Sequence, residues 1–417
     1  MVQITIQAKI NSATPASITS MSIGYSSSKS AIIRTFLEKK RFVKNQMYGL
    51  ILGLILGGCA SIKPVVDTTP EHTKAGDKYP AAKYIQSSWS SLPHWGDDDM
   101  NQAWSTWQKS CKILLKSSDE LGFQQVCEKA KNISGPDARQ VRAYFESNFQ
   151  VWELRQASVV NQFPIGSPMG LMTGYFEPVL KGALKKSERY GYPLYAMPKS
   201  WQKDPTALRP PTNELISKGL LTGNEIAWVE DPVSAAFMQI QGSGKITLEN
   251  ATVVRLGFAG TNNQPFKSFA QYLINRGELT LNQANMQNIQ AWAKKNPSEV
   301  NTMLSANPRF VFFKVVTSSN SQEEGPMGSL GVPLTEQRSI AVDWQAIPKG
   351  APVFLATNDP GNNKELNRLV FAQDTGKAIV GGVRADYFWG TGDVAGQQAG
   401  KMKKNVRMWV LLPTNKN

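Results

Sequence analysis

The spacing of apolar positions changes along the chain. After Asp97, the residues Trp104, Trp107, Cys111 and Leu114 recur at steps of three, four and three, the stripe of an amphipathic helix. A second helix is expected from Pro136, a good first-turn residue, with Val141, Phe145 and Phe149 on one face. From Leu171 the pattern becomes mostly β. Residues 237–240 and 245–248 have strand composition, and Val254, Leu256 and Phe258 alternate with Arg255 and Gly257. Two helices interrupt the strands. One is expected over 265–276, capped by Asn263 and stopped by Gly277. The other carries Met286, Ile289 and Trp292 and ends before Pro297. Short strands then return at 309–316, 339–343, 353–356, 369–373 and 407–412, separated by turns such as Pro348-Lys349-Gly350 and Gly381-Gly382. Such strands, punctuated by Gly and Pro, predict a small barrel. No internal repeat is visible.

Length and charge narrow this picture only a little. The chain has 417 residues, enough for two or three domains with ample core. It contains no run of 18 or more apolar residues, so no spanning helix is indicated. The formal net charge is +14; seven basic side chains and one acidic fall within the first 58 residues, so +6 resides there and +8 in the remainder. A basic balance suits nucleic acid, anionic membrane surfaces or an anionic polymer. Zinc-finger spacing, an RNP-like aromatic motif and a basic recognition helix are all missing from the sequence, so no nucleic-acid partner is expected.

The N-terminus is more informative. A basic cluster, Lys39 to Lys44, precedes an apolar run from Met47 to Leu56 and then Gly57-Gly58-Cys59. Basic, apolar and small-residue segments in that order are the parts of a secretory signal. The Cys59 context resembles the lipobox of bacterial lipoproteins, whose cysteine is lipidated and becomes the first mature residue. About 38 residues precede the basic cluster, long for a signal, and translation is expected to begin near residues 37–47. Residues 60–80 are rich in Pro, Thr and Lys without hydrophobic period, and read as a tether. Cys111 and Cys127 are left either as a disulfide or as two buried thiols.

For chemistry, exclusion comes first. The two histidines, His72 and His94, both lie in the N-terminal part, which disfavours a His-rich metal site or a Ser-His-Asp triad in the β region. A phosphate-binding G-x-x-x-x-G-K-S/T loop is missing, and no cofactor or metal is implied. Carboxylates remain as acid–base groups. Asp343, Asp374 and Asp386 stand at strand ends beside small residues, where a turn or cap role is the plain alternative. Asp386 is flanked by Arg384 and by Tyr387, Phe388 and Trp389. An acid among aromatic rings should hold its proton near neutral pH, and such rings suit stacking on sugars.

Seven ordered blocks carry a family resemblance. They are Thr173-Gly174-Tyr175-Phe176-Glu177-Pro178; Trp228 to Pro232; Gln239-Ile240-Gln241-Gly242-Ser243-Gly244; Gly257-Phe258-Ala259-Gly260; Val311-Phe312-Phe313; Gly325-Pro326-Met327-Gly328 running into Val332-Pro333-Leu334-Thr335; and the three-aspartate region. Together, over roughly residues 140–413, they resemble the membrane-bound lytic murein transglycosylase A family. The resemblance implies a mainly β fold with N-terminal helices. A double-psi β-barrel domain, from 165–178 plus 308–413, would carry an inserted second small β-barrel domain at 179–307. Ahead of them would lie a signal peptide at 1–58, a lipidated Cys59 with tether to residue 80, and a helical region at 81–164. The glycan would bind between the two domains.

The implied reaction cleaves the β-1,4 bond between N-acetylmuramic acid and N-acetylglucosamine in peptidoglycan without water, leaving a 1,6-anhydro end. The resemblance places Asp386 as the catalytic acid, with Asp374 and Asp343 lining the site. Thr173, Gln239, Gln241 and Ser243 would bind substrate, with barrel-turn packing as their alternative. The chain departs from the family pattern at Asn262-Asn263, Phe266, Phe176 and Lys377, which touches turn geometry and sugar affinity rather than Asp386. Rival readings are a glycan hydrolase on the same barrel, a non-catalytic expansin-like wall-binding lipoprotein, and a purely structural lipoprotein. Ala60 after Cys59 favours the periplasmic face of the outer membrane, with the lipid on Cys59 as the anchor.

Overall fold

The computed structural model describes residues 78–118, 120–317 and 325–414. The signal, the Cys59 lipobox and nearly all of the tether lie outside the described residues.

The first part of the fold is a helical layer: α1 (Met100–Leu114), α2 (Phe123–Lys131) and α3 (Ala138–Asn148). Asp99 caps α1 by accepting from the amides of Asn101 and Gln102, and Asp137 with Gln140 forms a reciprocal capping box on α3. The expected stripe holds: Trp104, Trp107, Cys111 and Leu114 are buried. Cys111 and Cys127 form a disulfide between α1 and α2, which resolves the open alternative. A loop of this separation contributes about 3 kcal/mol. The region expected to be helical also contains two strands, β1 (Ala82–Gln86) and β2 (Phe149–Gln156). Phe149, expected on the face of the helix, opens β2 instead.

Two sheets follow. β1 and β2 join the first, with β3 (Gly170–Glu177) and five C-terminal strands. The second holds β4 (Val179–Ala183), β5 (Tyr192–Tyr195), β6 (Glu225–Val229), β7 (Gly244–Thr247), β8 (Val253–Thr261) and β9 (Val311–Val316). The C-terminal strands are β10 (Ser339–Val342), β11 (Pro352–Asn358), β12 (Glu365–Asp374), β13 (Arg384–Thr391) and β14 (Lys403–Pro413). Pairing in the first sheet runs β1-β2-β14-β11-β12-β10-β13-β3, and β14 also pairs with β3, so six strands close a circuit. β9 was expected with the C-terminal strands, but it pairs antiparallel with β8 in the second sheet.

Helices pack around the second sheet and behind the first: α4 (Thr212–Ser217), α5 (Pro232–Gln241), α6 (Phe269–Asn275), α7 (Met286–Lys295), α8 (Val300–Ser305) and α9 (Gly392–Lys401). Two expectations are corrected here. Residues 237–240 are helical, within α5, because Asp231 caps the preceding turn, Pro232 takes the first helical position and Gly242 ends it at φ 81°. A short apolar run does not distinguish a strand from a buried helix by period alone. The following helix, α6, starts at Phe269 with Ser268 as its cap, not Asn263. Asn263 instead sits at φ 58° and donates its side-chain amide to the carbonyls of Pro205 and Ala207. The helix with Met286, Ile289 and Trp292 is α7, as expected.

The main core lies between the helical layer and the first sheet, around Trp107, Phe149, Phe354, Phe371 and Trp409. One buried ion pair pins the layer to that sheet. Both Nη atoms of Arg338 meet the Asp98 carboxylate at 2.7 Å, and neither side chain is appreciably exposed. Its remaining donors reach Gln102 and the carbonyls of Leu369 and Asp99. No charge is left unpaired, which is the condition for burying a fork of this kind.

Candidate active site

The strand register sets the site. Ala341 on β10 stands opposite Asp374 on β12 and Asp386 on β13. Asp386 in turn pairs with Thr173 on β3. Asp374, Ala341, Asp386 and Thr173 thus form one row across four neighbouring strands. Ala341 is the small residue that separates the two acids.

Asp386 is almost fully buried, at 3% exposure. Its Oδ1 accepts from the Thr173 hydroxyl at 2.6 Å. Arg384, also buried, donates to the Thr173 oxygen at 2.8 Å, so the threonine passes an oriented hydrogen bond to the acid. Burial pushes the Asp386 carboxyl above the usual carboxylate range. The charge of Arg384 and the Thr173 bond oppose that rise without cancelling it, and the charge of Asp374 adds to it.

Asp374 is surrounded by donors. Tyr175 gives its phenol proton to Oδ2 at 3.0 Å, while the Ser329 amide and hydroxyl meet Oδ1 at 2.9 and 2.6 Å. Burial raises this carboxyl too, and the Ser329 and Tyr175 bonds restrain the rise. Asp374 is half-buried by its surface, and burial remains the largest influence on its carboxyl. Tyr175 is held well above the ordinary phenol range by burial and by the charges of Asp374 and Asp386.

The other residues singled out in the sequence lie apart from this row. Asp343 follows β10. Its Oδ1 accepts from the Gln345 amide and its Oδ2 from the Gly381 amide, while its carbonyl accepts from Ala346 and Ile347. These are the contacts of a turn residue. On α5, Gln239 accepts from the Val311 amide, and Gln241 at the helix end accepts from the Phe176 amide. Ser243 sits half-buried just before β7. Glu177, Arg255 and Ser329 were not singled out as site residues. Glu177 belonged to a motif block and Arg255 to an alternating strand, but partners 78 and 45 residues away carry no local signal.

A cavity of about 340 Å³ lies elsewhere, between β3–β4, α5, α7 and α9, with Phe176, Phe237, Gln290 and Asp393 in its wall. Phe176 faces α9, where a Cβ on Gly396 would meet its ring at 2.8 Å. Thr173 and Tyr175 project from the other side of β3, towards the aspartates. Among the described residues, no group of three or more His, Cys, Asp or Glu is arranged to hold a metal.

Two family models match the chain: the MltA specific insert domain over residues 171–314, and the 3D domain over 338–412. Membrane-bound lytic murein transglycosylase A of Escherichia coli K12 is 30% identical over 287 residues, 67% of this chain and 72% of that protein. Among solved structures, MltA from Neisseria gonorrhoeae is 33% identical with a TM-score of 0.70, covering 81% of this chain and 94% of that one. The lytic transglycosylase LtgG of Burkholderia pseudomallei is 45% identical with a TM-score of 0.57, covering 80% and 96%. This chain belongs to the membrane-bound lytic murein transglycosylase A family.

Proposed function

We propose that this protein is a lytic transglycosylase that cuts peptidoglycan between N-acetylmuramic acid and N-acetylglucosamine and leaves a 1,6-anhydro end. The observation that carries the reading is Asp386, a buried carboxyl that burial pushes above the usual carboxylate range and that Thr173 orients. The names of the relatives support the substrate class.

In this reading Asp386 protonates the glycosidic oxygen as the bond to the anomeric carbon breaks. The C6 hydroxyl of the same muramic acid then attacks that carbon, and the Asp386 carboxylate takes the hydroxyl proton. The acid is regenerated and no water is consumed. The nucleophile is intramolecular, so its effective concentration is high and one carboxyl suffices. Whenever Asp374 is charged, it favours the protonated form of Asp386. A hydrolase would need a second carboxylate to act as base or nucleophile. Asp374 is the nearest candidate in the row, but three donors already occupy its two oxygens.

The domain reading follows the pairing. The six-strand circuit supports a double-psi β-barrel made from β3 and the strands after residue 338, with the second sheet and its helices as the insert. The boundary would then lie after β9 rather than before it. Thr173 acts on Asp386, while Gln239, Gln241, Ser243 and Asp343 are assigned to shaping the walls. Cys59 would carry the lipid and hold the enzyme at the periplasmic face of the outer membrane.

The test is digestion of purified sacculi by the detergent-solubilised protein, with mass spectrometry of the released muropeptides. Products one water lighter than reducing ends, lost in Asp386→Asn, are expected. Reducing ends in their place would establish a hydrolase. Sacculus binding without release would establish a wall-binding protein. Loss of fatty-acid labelling in Cys59→Ser tests the anchor.

A further inference from the structure

β3 ends in Glu177, a carboxylate with no exposed surface. Arg255 on β8 faces it as a fork: Nη2 donates to Oε2 at 3.0 Å, and Nε lies 3.0 Å from Oε1. Thr391, at the end of β13, donates its hydroxyl to Oε2 at 2.9 Å, and Lys245 on β7 approaches to 3.9 Å. The cluster therefore joins the first sheet, through β3 and β13, to the second, through β7 and β8. Burial raises the Glu177 carboxyl in spite of Arg255, Thr391 and Lys245. A fork held at that cost is weak evidence for stability, and a role in geometry accounts for it better.

Arg255 reaches further. Its Nη1 donates to the carbonyl of Gly325 at 3.1 Å. Gly325 opens a tight turn in which the Leu334 amide donates to Pro326 and the Gly328 amide to Val332. The turn has no slack: a Cβ on Gly325 would come within 2.2 Å of the Leu334 carbonyl oxygen, and one on Gly328 within 2.6 Å of that of Gln373. Ser329, in the same turn, supplies both bonds to Asp374 Oδ1. At the other end, Glu177 lies two residues beyond Tyr175, which supplies the bond to Oδ2. The groups around Asp374 thus converge on one clamp.

We propose that the Glu177–Arg255 pair is a positioning device for the reaction: it ties the end of β3 to the Gly325–Ser329 turn and so holds both oxygens of Asp374 in register with Asp386. Neither residue touches the reacting atoms, and the proposal rests on Asp386 being the acid. Asp374 faces Tyr175, Ser329 and the charge of Asp386; Asp386 faces Thr173, Arg384, Tyr175 and Asp374. If the clamp loosens, Asp374 loses the bonds that favour its anion and takes up a proton more readily. Its charge then no longer favours the protonated form of Asp386, which gives up its proton at lower pH. The rate should fall first on the alkaline side.

The experiment measures kcat and KM against pH on soluble glycan strands, using the detergent-solubilised full-length protein. Arg255→Lys keeps a charge opposite Glu177 but loses the fork and the reach to Gly325. Glu177→Gln combined with Arg255→Gln removes both charges and leaves neither ion buried alone. Each is expected to lower kcat about tenfold, the worth of a lost charged hydrogen bond. KM should stay within about twofold, and the alkaline limb should move to lower pH. Ser329→Ala, at an exposed turn, should reproduce part of that alkaline loss with the clamp intact. Folded clamp variants with lowered Tm but unchanged kcat and pH limb would reduce the pair to a staple. An unchanged Ser329→Ala would overturn the relay even if the buried variants failed to fold. Asp386→Asn is run beside them: if it stays active, the underlying reading fails, whereas an inactive Asp386→Asn with unaffected clamp variants sinks the inference alone.

Discussion

At Asp386 the fold has removed nearly all solvent and left the carboxyl with the Thr173 hydroxyl, a buried arginine behind it and a second acid two strands away across Ala341. At Asp343, just past the end of β10, backbone amides from Gln345 and Gly381 close a turn over the carboxylate. In the sequence both are aspartates at strand ends beside small residues. The difference is in what surrounds the charge. At Asp343 the amide donors fasten the chain, whereas at Asp386 burial penalises the anion. On the proposed reading, the acid is distinguished by the neighbours it lacks as much as by those it has.

The largest break in this contrast should come from Asp386→Asn, with kcat lower on the order of 10³-fold in the sacculus assay. The same change should raise Tm at neutral pH. The Asp386 carboxyl is raised in the fold, so its contribution is most favourable below its unfolded value and is lost as pH rises through the folded value. The gain over wild type should therefore vanish in acid, and a Tm difference independent of pH would contradict it. Asp374→Asn should come next, with a loss of about 10² near neutrality and an alkaline limb displaced to lower pH, as expected when a like charge is removed. Thr173→Val, nearly isosteric, should cost about tenfold in kcat through the lost bond to Asp386. Asp343→Asn closes the series: activity within about twofold, with about 1 kcal/mol lost in denaturant unfolding. A large activity loss there would move Asp343 into the site.

Much of this arrangement was legible in the sequence, and each exception has a physical cause. Asp374 and Asp386 were visible because each is framed by its own neighbours, and the stripes of α1 and α7 because period is a local property. The segment at 237–240 misled because four residues, three of them apolar, carry no period, and only the Asp231 cap and Pro232 decide for a helix. β9 stands next to the C-terminal strands in chain order, but it pairs with β8 in the second sheet, a contact that local pattern does not carry. Asn263 has a residue type that suits a cap, but the loop carbonyls of Pro205 and Ala207 claim its side chain. The Glu177–Arg255 fork was unreadable for a different reason, since a salt bridge between strands of two sheets leaves no trace in spacing.

The closed circuit of strands also bears on timing. Thr173 and Asp386 are separated by 213 residues, and the last strand, β14, is the one that borders β2, β3 and β11 at once. Contacts so distant along the chain form late, after much loop entropy has been spent. A nascent or C-terminally shortened polypeptide would hold Asp386 without the complete strand circuit around it. Competence to act would then arrive only with the final strand, which delays a wall-cutting activity until the chain is whole.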